Sequence, residues 1–142
     1  MKSFTVLTLV ALTATATANP LTPRANGYCN TVKSVKGRGS DSDYKIPYPA
    51  LKGGGSCIMN EGAEGEGVRS LQYSLNECYG TAPEFHLTVD GKYGPKTKKT
   101  VKEIQSWYKE LKEDGIWGPK TGATLDWVGK KGSYESCVRA AV

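Results

Sequence analysis

The sequence predicts a mainly α fold: a small bundle of three short helices with an irregular, disulfide-pinned N-terminal arm and a short C-terminal tail. Three observations carry this reading. Apolar residues recur at offsets of 0, 3, 7 and 10 in two segments, the stripe of an amphipathic helix. Proline, a preferred first-turn residue, opens the second and third helical segments at Pro95 and Pro119. An eight-residue turn motif occurs twice, once at each of those openings.

The 142 residues begin with a segment outside this fold. Residues 4–18 are apolar or small and carry no charge, after Lys2. That is short of the roughly 20 residues a bilayer span needs, and it ends in Ala16-Thr17-Ala18, the small-x-small pattern of a cleavage site. Residues 1–18 therefore read as a signal peptide, and residues 19–24, ending in Pro23-Arg24, as a short pro-segment. No later stretch is apolar enough for a membrane span, so the protein is expected to be secreted, extracellular and monomeric.

An arm over residues 25–65 is rich in Gly, Ser and Lys and runs into Gly53-Gly54-Gly55-Ser56. Within it, Pro47 and Pro49 push the residues before them toward extended geometry. The domain proper, residues 66–128, opens with Val68, Leu71, Leu75 and Cys78 on one helix face, behind Glu64 and Glu66 at the positive end of the helix dipole. Gly80 supplies its stop. The second helix starts at Pro95, buries Val101, Ile104, Tyr108 and Leu111, and places Lys109 and Lys112 in its last turn. The third starts at Pro119 and buries Leu125 and Val128; residues 129–142 form the tail.

Cys29, Cys57, Cys78 and Cys137 are separated by 28, 21 and 59 positions, without a C-x-x-C pair, and His86 is the one histidine. A zinc site needs closer ligand pairs, so no metal is expected. In an oxidising compartment an even count implies two disulfides. Three pairings are open; Cys57–Cys78 with Cys29–Cys137 is preferred, tying a loop to the first helix and clamping the two tails.

The internal repeat is the most informative feature. Asp90-Gly-Lys-Tyr-Gly-Pro-Lys-Thr97 is matched by Asp114-Gly-Ile-Trp-Gly-Pro-Lys-Thr121, with only Lys92 and Ile116 differing in kind. Val68-x-x-Leu71-Gln72 stands upstream of the first octad, and Val101-x-x-Ile104-Gln105 upstream of the second. In each octad the Asp carboxylate can fold onto its own backbone, Gly supplies a left-handed residue, and the aromatic turns inward before Pro starts a helix.

The order Gly67-Val68-x-x-Leu71-Gln72-x-x-Leu75-Asn76, then Asp90-Gly91-x-Tyr93-Gly94-x-x-Thr97, with its second copy ending in Asp114-Gly115-Ile116-Trp117-Gly118-x-x-Thr121, resembles the peptidoglycan-binding-like domain of the three-helix type. The resemblance covers residues 66–128 and implies a closed three-helix bundle, a module that brings a hydrolase to bacterial wall. No catalytic domain accompanies it in this sequence. The leader and four Cys suggest a fungal source, which widens the expected ligand from peptidoglycan to chitin or another wall polysaccharide.

Catalytic chemistry has little to draw on. A glycosidase needs two carboxyls about 5–10 Å apart across one bond. Among the candidates Glu61, Glu64, Glu66, Glu84, Asp90 and Asp114, the first three read as helix-start charges and the two Asp as turn formers. No catalytic residue and no cofactor are assigned. Lys92–Lys131 holds ten Lys against five acids, so charge is polarised, but secretion removes nucleic acid as a partner. Sugar rings pack their C–H faces on aromatics while amides and carboxylates fix their hydroxyls. The candidate ligand-binding residues are Asp90, Tyr93, Asp114 and Trp117, from the octads, and Trp107, which the repeat does not constrain. The expected function is a non-catalytic module binding peptidoglycan or a related polysaccharide. A small wall hydrolase or antibacterial effector is the alternative, and a protein-interaction effector a further one.

Overall fold

The computed structural model describes residues 27–80 and 83–142; the expected signal peptide and pro-segment lie outside the described residues. Strands β1 (Thr31–Lys36) and β2 (Lys45–Ala50) come first, then helices α1 (Glu66–Tyr79), α2 (Pro95–Ser106) and α3 (Pro119–Thr124), then strands β3 (Asp126–Lys131) and β4 (Tyr134–Arg139). The four strands form one antiparallel sheet in the order β1-β2-β3-β4. The mainly α, three-helix-bundle expectation is thus overturned: the arm and the tail, read as irregular, pair into a sheet that packs on the helices.

The prolines of β2 explain how that strand escapes a sequence reading. Pro in a central strand removes a ladder donor and argues against a strand. Here Gly37 N–H donates to Tyr44 O at 3.0 Å, and the β1–β2 register pairs Val35 with Ile46 and Lys33 with Tyr48. By that parity Tyr44, Ile46, Tyr48 and Ala50 turn their backbone groups to β1, while Pro47 and Pro49 face away. On that far side the β2–β3 ladder is a single pair, Lys45 with Lys130, so the missing donors interrupt nothing.

Small side chains on α1 let the sheet approach. Ser70 Oγ donates to Pro47 O, and Ser74 Oγ accepts Val128 N–H at 3.2 Å. At Gly67 a Cβ would stand 3.0 Å from Thr31 O and 3.2 Å from Cys29 O, so the helix start lies directly on β1. The other face of α1 presents Val68, Leu71 and Leu75 to the helical core, as the periodicity predicts. Tyr73 Oη donates to Glu135 Oε2 at 2.9 Å, and Lys130 Nζ reaches the same carboxylate at 2.8 Å, fastening the β3–β4 hairpin across the helix.

Two helices end earlier than expected. α2 stops at Ser106, so Tyr108 and Leu111 are buried or half-buried beyond the helix, and Lys109 and Lys112 do not occupy its last turn. Tight turns follow instead, with Trp107 N–H on Ile104 O at 3.1 Å and Tyr108 N–H on Gln105 O at 3.0 Å. The cause is the second octad, which must return to Gln105 within 10 residues, whereas the first has 19 in which to return to Gln72. α3 stops at Thr124, and Val128 is a strand residue.

The disulfides are Cys29–Cys57 and Cys78–Cys137, separated by 28 and 59 residues, in place of the preferred pairing. The sheet decides this. β1 and β2 bring the two ends of the arm together, while the β3–β4 hairpin carries Cys137 onto the last turn of α1. Removing the second bridge with Cys78→Ser and Cys137→Ser frees a 59-residue loop and is expected to cost about 4 kcal/mol. A urea titration reads this as a lowered midpoint; an unchanged midpoint would show that the hairpin holds without its staple.

Candidate functional site

Each octad is organised by one buried glutamine. Gln72 Oε1 accepts Gly91 N–H at 2.8 Å, while Nε2 donates to Lys92 O at 2.9 Å, Asp90 Oδ1 at 3.0 Å and Thr97 Oγ1 at 3.2 Å. Gln105 repeats the arrangement: Oε1 accepts Gly115 N–H at 2.9 Å, and Nε2 donates to Ile116 O at 2.9 Å, Thr121 Oγ1 at 3.2 Å and Asp114 Oδ1 at 3.5 Å. Asp90 and Asp114 also accept the N–H of Lys92 and Ile116, both at 2.9 Å, closing an Asx turn in each copy. Gly91 and Gly115 have φ of 73° and 68°, the left-handed region that admits glycine most readily.

The arm joins the two octads. Met59 exchanges backbone hydrogen bonds with Trp117 at 2.8 and 2.9 Å. Four residues on, Ala63 O accepts Tyr93 N–H at 2.9 Å and Gly62 N–H donates to Tyr93 O at 3.1 Å. The aromatic position of each octad therefore pairs with the same short length of chain. Tyr93 Oη donates to Gly115 O at 2.9 Å, linking the copies directly, and burial pushes its phenol well above the usual range.

This geometry sorts the five candidate residues. Tyr93 and Trp117 are 2 % and 1 % exposed and belong to the core. Trp117 packs on Tyr48 and Trp127, with ring centroids 5.6 and 5.9 Å apart. Asp90 and Asp114 reach the surface with their Oδ1 atoms engaged in the turns. The backbone N–H of Lys92 and then the Gln72 amide hold the Asp90 carboxyl below the usual carboxylate range. Of the three aromatics among the five, Trp107 is the open one, 50 % exposed, against the edge of Phe85 at 5.9 Å and beside Tyr79 at 6.0 Å. The structure does not bring Trp107 into the octad turns.

Other charges lie around these features. Lys98 faces Glu61 at 3.9 Å and Lys112 faces Asp114 at 3.7 Å, while Lys92, Lys99, Lys102 and Lys109 are exposed. A shallow groove of about 210 Å³ runs beside the second octad between Leu111, Lys112, Asp114, Ile116 and Lys120. Among the described residues, no three His, Cys, Asp or Glu side chains group as metal ligands. The positioning residues absent from the candidate set are Gln72 and Gln105. Their signal was present, since each ends the repeated Val-x-x-Leu/Ile-Gln pattern, but a glutamine in a helix does not announce burial.

Fold and site together define a duplicated module: two helix-plus-octad units locked by buried glutamines, with an aromatic face open at the end of α2. Residues 64–125 match the family described as "Putative peptidoglycan binding domain". The chain is 44 % identical over 66 residues to the zinc D-Ala-D-Ala carboxypeptidase of Streptomyces albus G, covering 46 % of this chain and 25 % of that protein. It is 33 % identical over 96 residues to the N-acetylmuramoyl-L-alanine amidase CwlL of Bacillus licheniformis, covering 66 % and 26 %. An uncharacterized protein in the bpoA1 3' region of Kitasatospora aureofaciens is 36 % identical over 76 residues, covering 54 % and 61 %. The match thus spans about a quarter of each of the two enzymes and under two thirds of the third relative.

Gln72→Met keeps the volume and removes every amide bond, leaving Gly91 N–H and Lys92 O without their partner. It is expected to cost about 2–4 kcal/mol in a denaturant titration, and Gln105→Met a similar amount. The lowered carboxyl of Asp90 contributes stability that is complete above the ordinary carboxylate range and is lost as pH falls through the lowered value. Asp90→Asn is therefore expected to flatten the fall in stability between about pH 5 and pH 2. Identical slopes for variant and wild type would contradict this.

Proposed function

We propose that this chain is a secreted, non-catalytic module that holds peptidoglycan or a related wall polysaccharide, with Trp107 as the principal contact. The observation that carries this reading is the division of labour among the aromatics of the family segment. Tyr93 and Trp117 are enclosed by the fold, while Trp107 presents half its surface to solvent in a small aromatic cluster with Phe85. A planar, rigid aromatic face suits the apolar C–H face of a sugar ring at little entropic cost. The exposed lysines add salt-sensitive attraction to anionic wall polymers. Two disulfides accord with an extracellular setting.

The matched enzymes favour a second reading, a small wall hydrolase. Two points support the binding module over it. The shared segment is about a quarter of each enzyme's length. The octad carboxylates, the most prominent acids of that segment, accept hydrogen bonds that shape their own turns.

Co-sedimentation with insoluble peptidoglycan, chitin and cellulose tests both readings. Retention on peptidoglycan that survives moderate salt is expected, without release of soluble muropeptides or reducing ends. Trp107→Ala should weaken retention on the order of tenfold while the protein stays folded. Retention on none of the three matrices would refute the binding module, and muropeptide release would establish the hydrolase.

A further inference from the structure

The two disulfides differ in how far a reagent can reach them. Cys29 and Cys57 are 0 % and 5 % exposed and belong to the core beneath the arm. Cys137, on β4, is exposed, and its partner Cys78, in the last turn of α1, is half-buried at the edge of the core. Thiol exchange begins only when a thiolate reaches a sulfur, so an accessible bridge is the labile one. The second bridge is therefore the first to open.

Both ends of that bridge adjoin the aromatic face of Trp107. On α1, Cys78 is followed by Tyr79, whose ring stands 6.0 Å from that of Trp107 and whose hydroxyl lies 3.2 Å from that of Tyr108. On the hairpin, Cys137 precedes Arg139 by two residues, and the Arg139 guanidinium lies over the Tyr108 ring at 6.0 Å. Asp126, opposite Arg139 in the β3–β4 register, pairs with it at 3.5 Å and donates its backbone N–H to the Tyr79 hydroxyl at 2.7 Å. The root of the hairpin thus braces Tyr79 and, through Tyr108, the turn that carries Trp107. Elsewhere the hairpin meets α1 through hydrogen bonds, Val128 to Ser74 and Tyr73 to Glu135, the latter at the surface. Among the described residues Cys78–Cys137 is the one covalent tie between them. Opening it lets β4 draw away from the end of α1, and Arg139 and Asp126 move with it.

We infer that Cys78–Cys137 is a redox-sensitive clamp that holds the aromatic face in its binding shape, opened by small dithiols while Cys29–Cys57 stays closed. A thiolate of the dithiol attacks the sulfur of the exposed Cys137, breaking the bridge and releasing Cys78 as a thiolate that takes up a proton. The second sulfur of the dithiol then attacks the mixed disulfide and frees Cys137 as a thiol. The dithiol leaves as a cyclic disulfide, having given up two electrons and two protons. This inference rests on the reading of Trp107 as the glycan contact and gives that contact a control: the oxidised protein holds its ligand and the reduced protein releases it.

Graded dithiothreitol followed by alkylation and mass spectrometry tests the order of opening, with circular dichroism to follow the fold. Cys78 and Cys137 are expected to be labelled about tenfold faster than Cys29 and Cys57. In the partly reduced protein, and in the Cys78→Ser, Cys137→Ser variant, the Trp107 indole N–H resonance should move while the Gly91 and Gly115 amides, bonded to Gln72 and Gln105, stay in place. Retention on peptidoglycan should fall about three- to tenfold on reduction and return on reoxidation. Opening of both bridges together, unfolding as the second bridge opens, or an unmoved Trp107 resonance would overturn the clamp. Equal retention of the oxidised and reduced forms would overturn it too. An oxidised protein that peptidoglycan does not retain would refute the polysaccharide reading instead, and the labelling order and the Trp107 resonance would still decide the clamp.

Discussion

The fold depends on a side-chain amide placed where backbone groups would otherwise be stranded. Each octad makes a left-handed turn whose glycine N–H and following carbonyl point into the protein, where water cannot reach them. Gln72 and Gln105 answer both groups at once, each with one oxygen and one nitrogen. An apolar residue of the same size would leave both unsatisfied, and a carboxylate would set a negative charge against a carbonyl and an Asp. That need explains why glutamine stands at the same place in both repeats and why the octads hold their shape without a regular strand around them.

Once the octads are set, the rest of the molecule is assembled against them. The arm segment from Met59 to Ala63 runs past both aromatic positions and pairs with each, so the two halves share one edge. Trp117 then forms a cluster with Tyr48 of β2 and Trp127 of β3, which seats the sheet on the second octad. Gly122 is the point of closest approach: a Cβ there would overlap Tyr48 Oη and Trp117 Cζ2. Trp127 Nε1 donates to Gly122 O at 2.8 Å, so the same residue serves both as spacer and as acceptor.

The helical half was legible because its signals are local. α1 begins and ends where the apolar stripe, Glu66 and Gly80 place it, and Pro95 and Pro119 open the next two helices. The sheet was not legible because its signals are not local. β2 carries two prolines that are harmless only because β3 pairs with it at one residue, and Ser70 and Ser74 read as polar helix residues until a sheet lies over them. The disulfide pairing followed the sheet and was lost with it. At the candidate site, the inward turn of Tyr93 and Trp117 followed from the octad pattern, whereas the repeat left Trp107 unconstrained and its exposure is set by the early end of α2.

The central claim is that the octads are frame and that ligand contact lies on the open aromatic face. The most direct measurement is an ¹⁵N–¹H NMR titration with soluble muropeptide fragments, following the Trp107 indole N–H and the amides of Gly91 and Gly115. The account predicts that the Trp107 resonance moves with saturation while the two glycine amides, bonded to Gln72 and Gln105, stay in place. Saturable shifts at Gly91 or Gly115 with a silent Trp107 would contradict it and return the octads to the role of binding site.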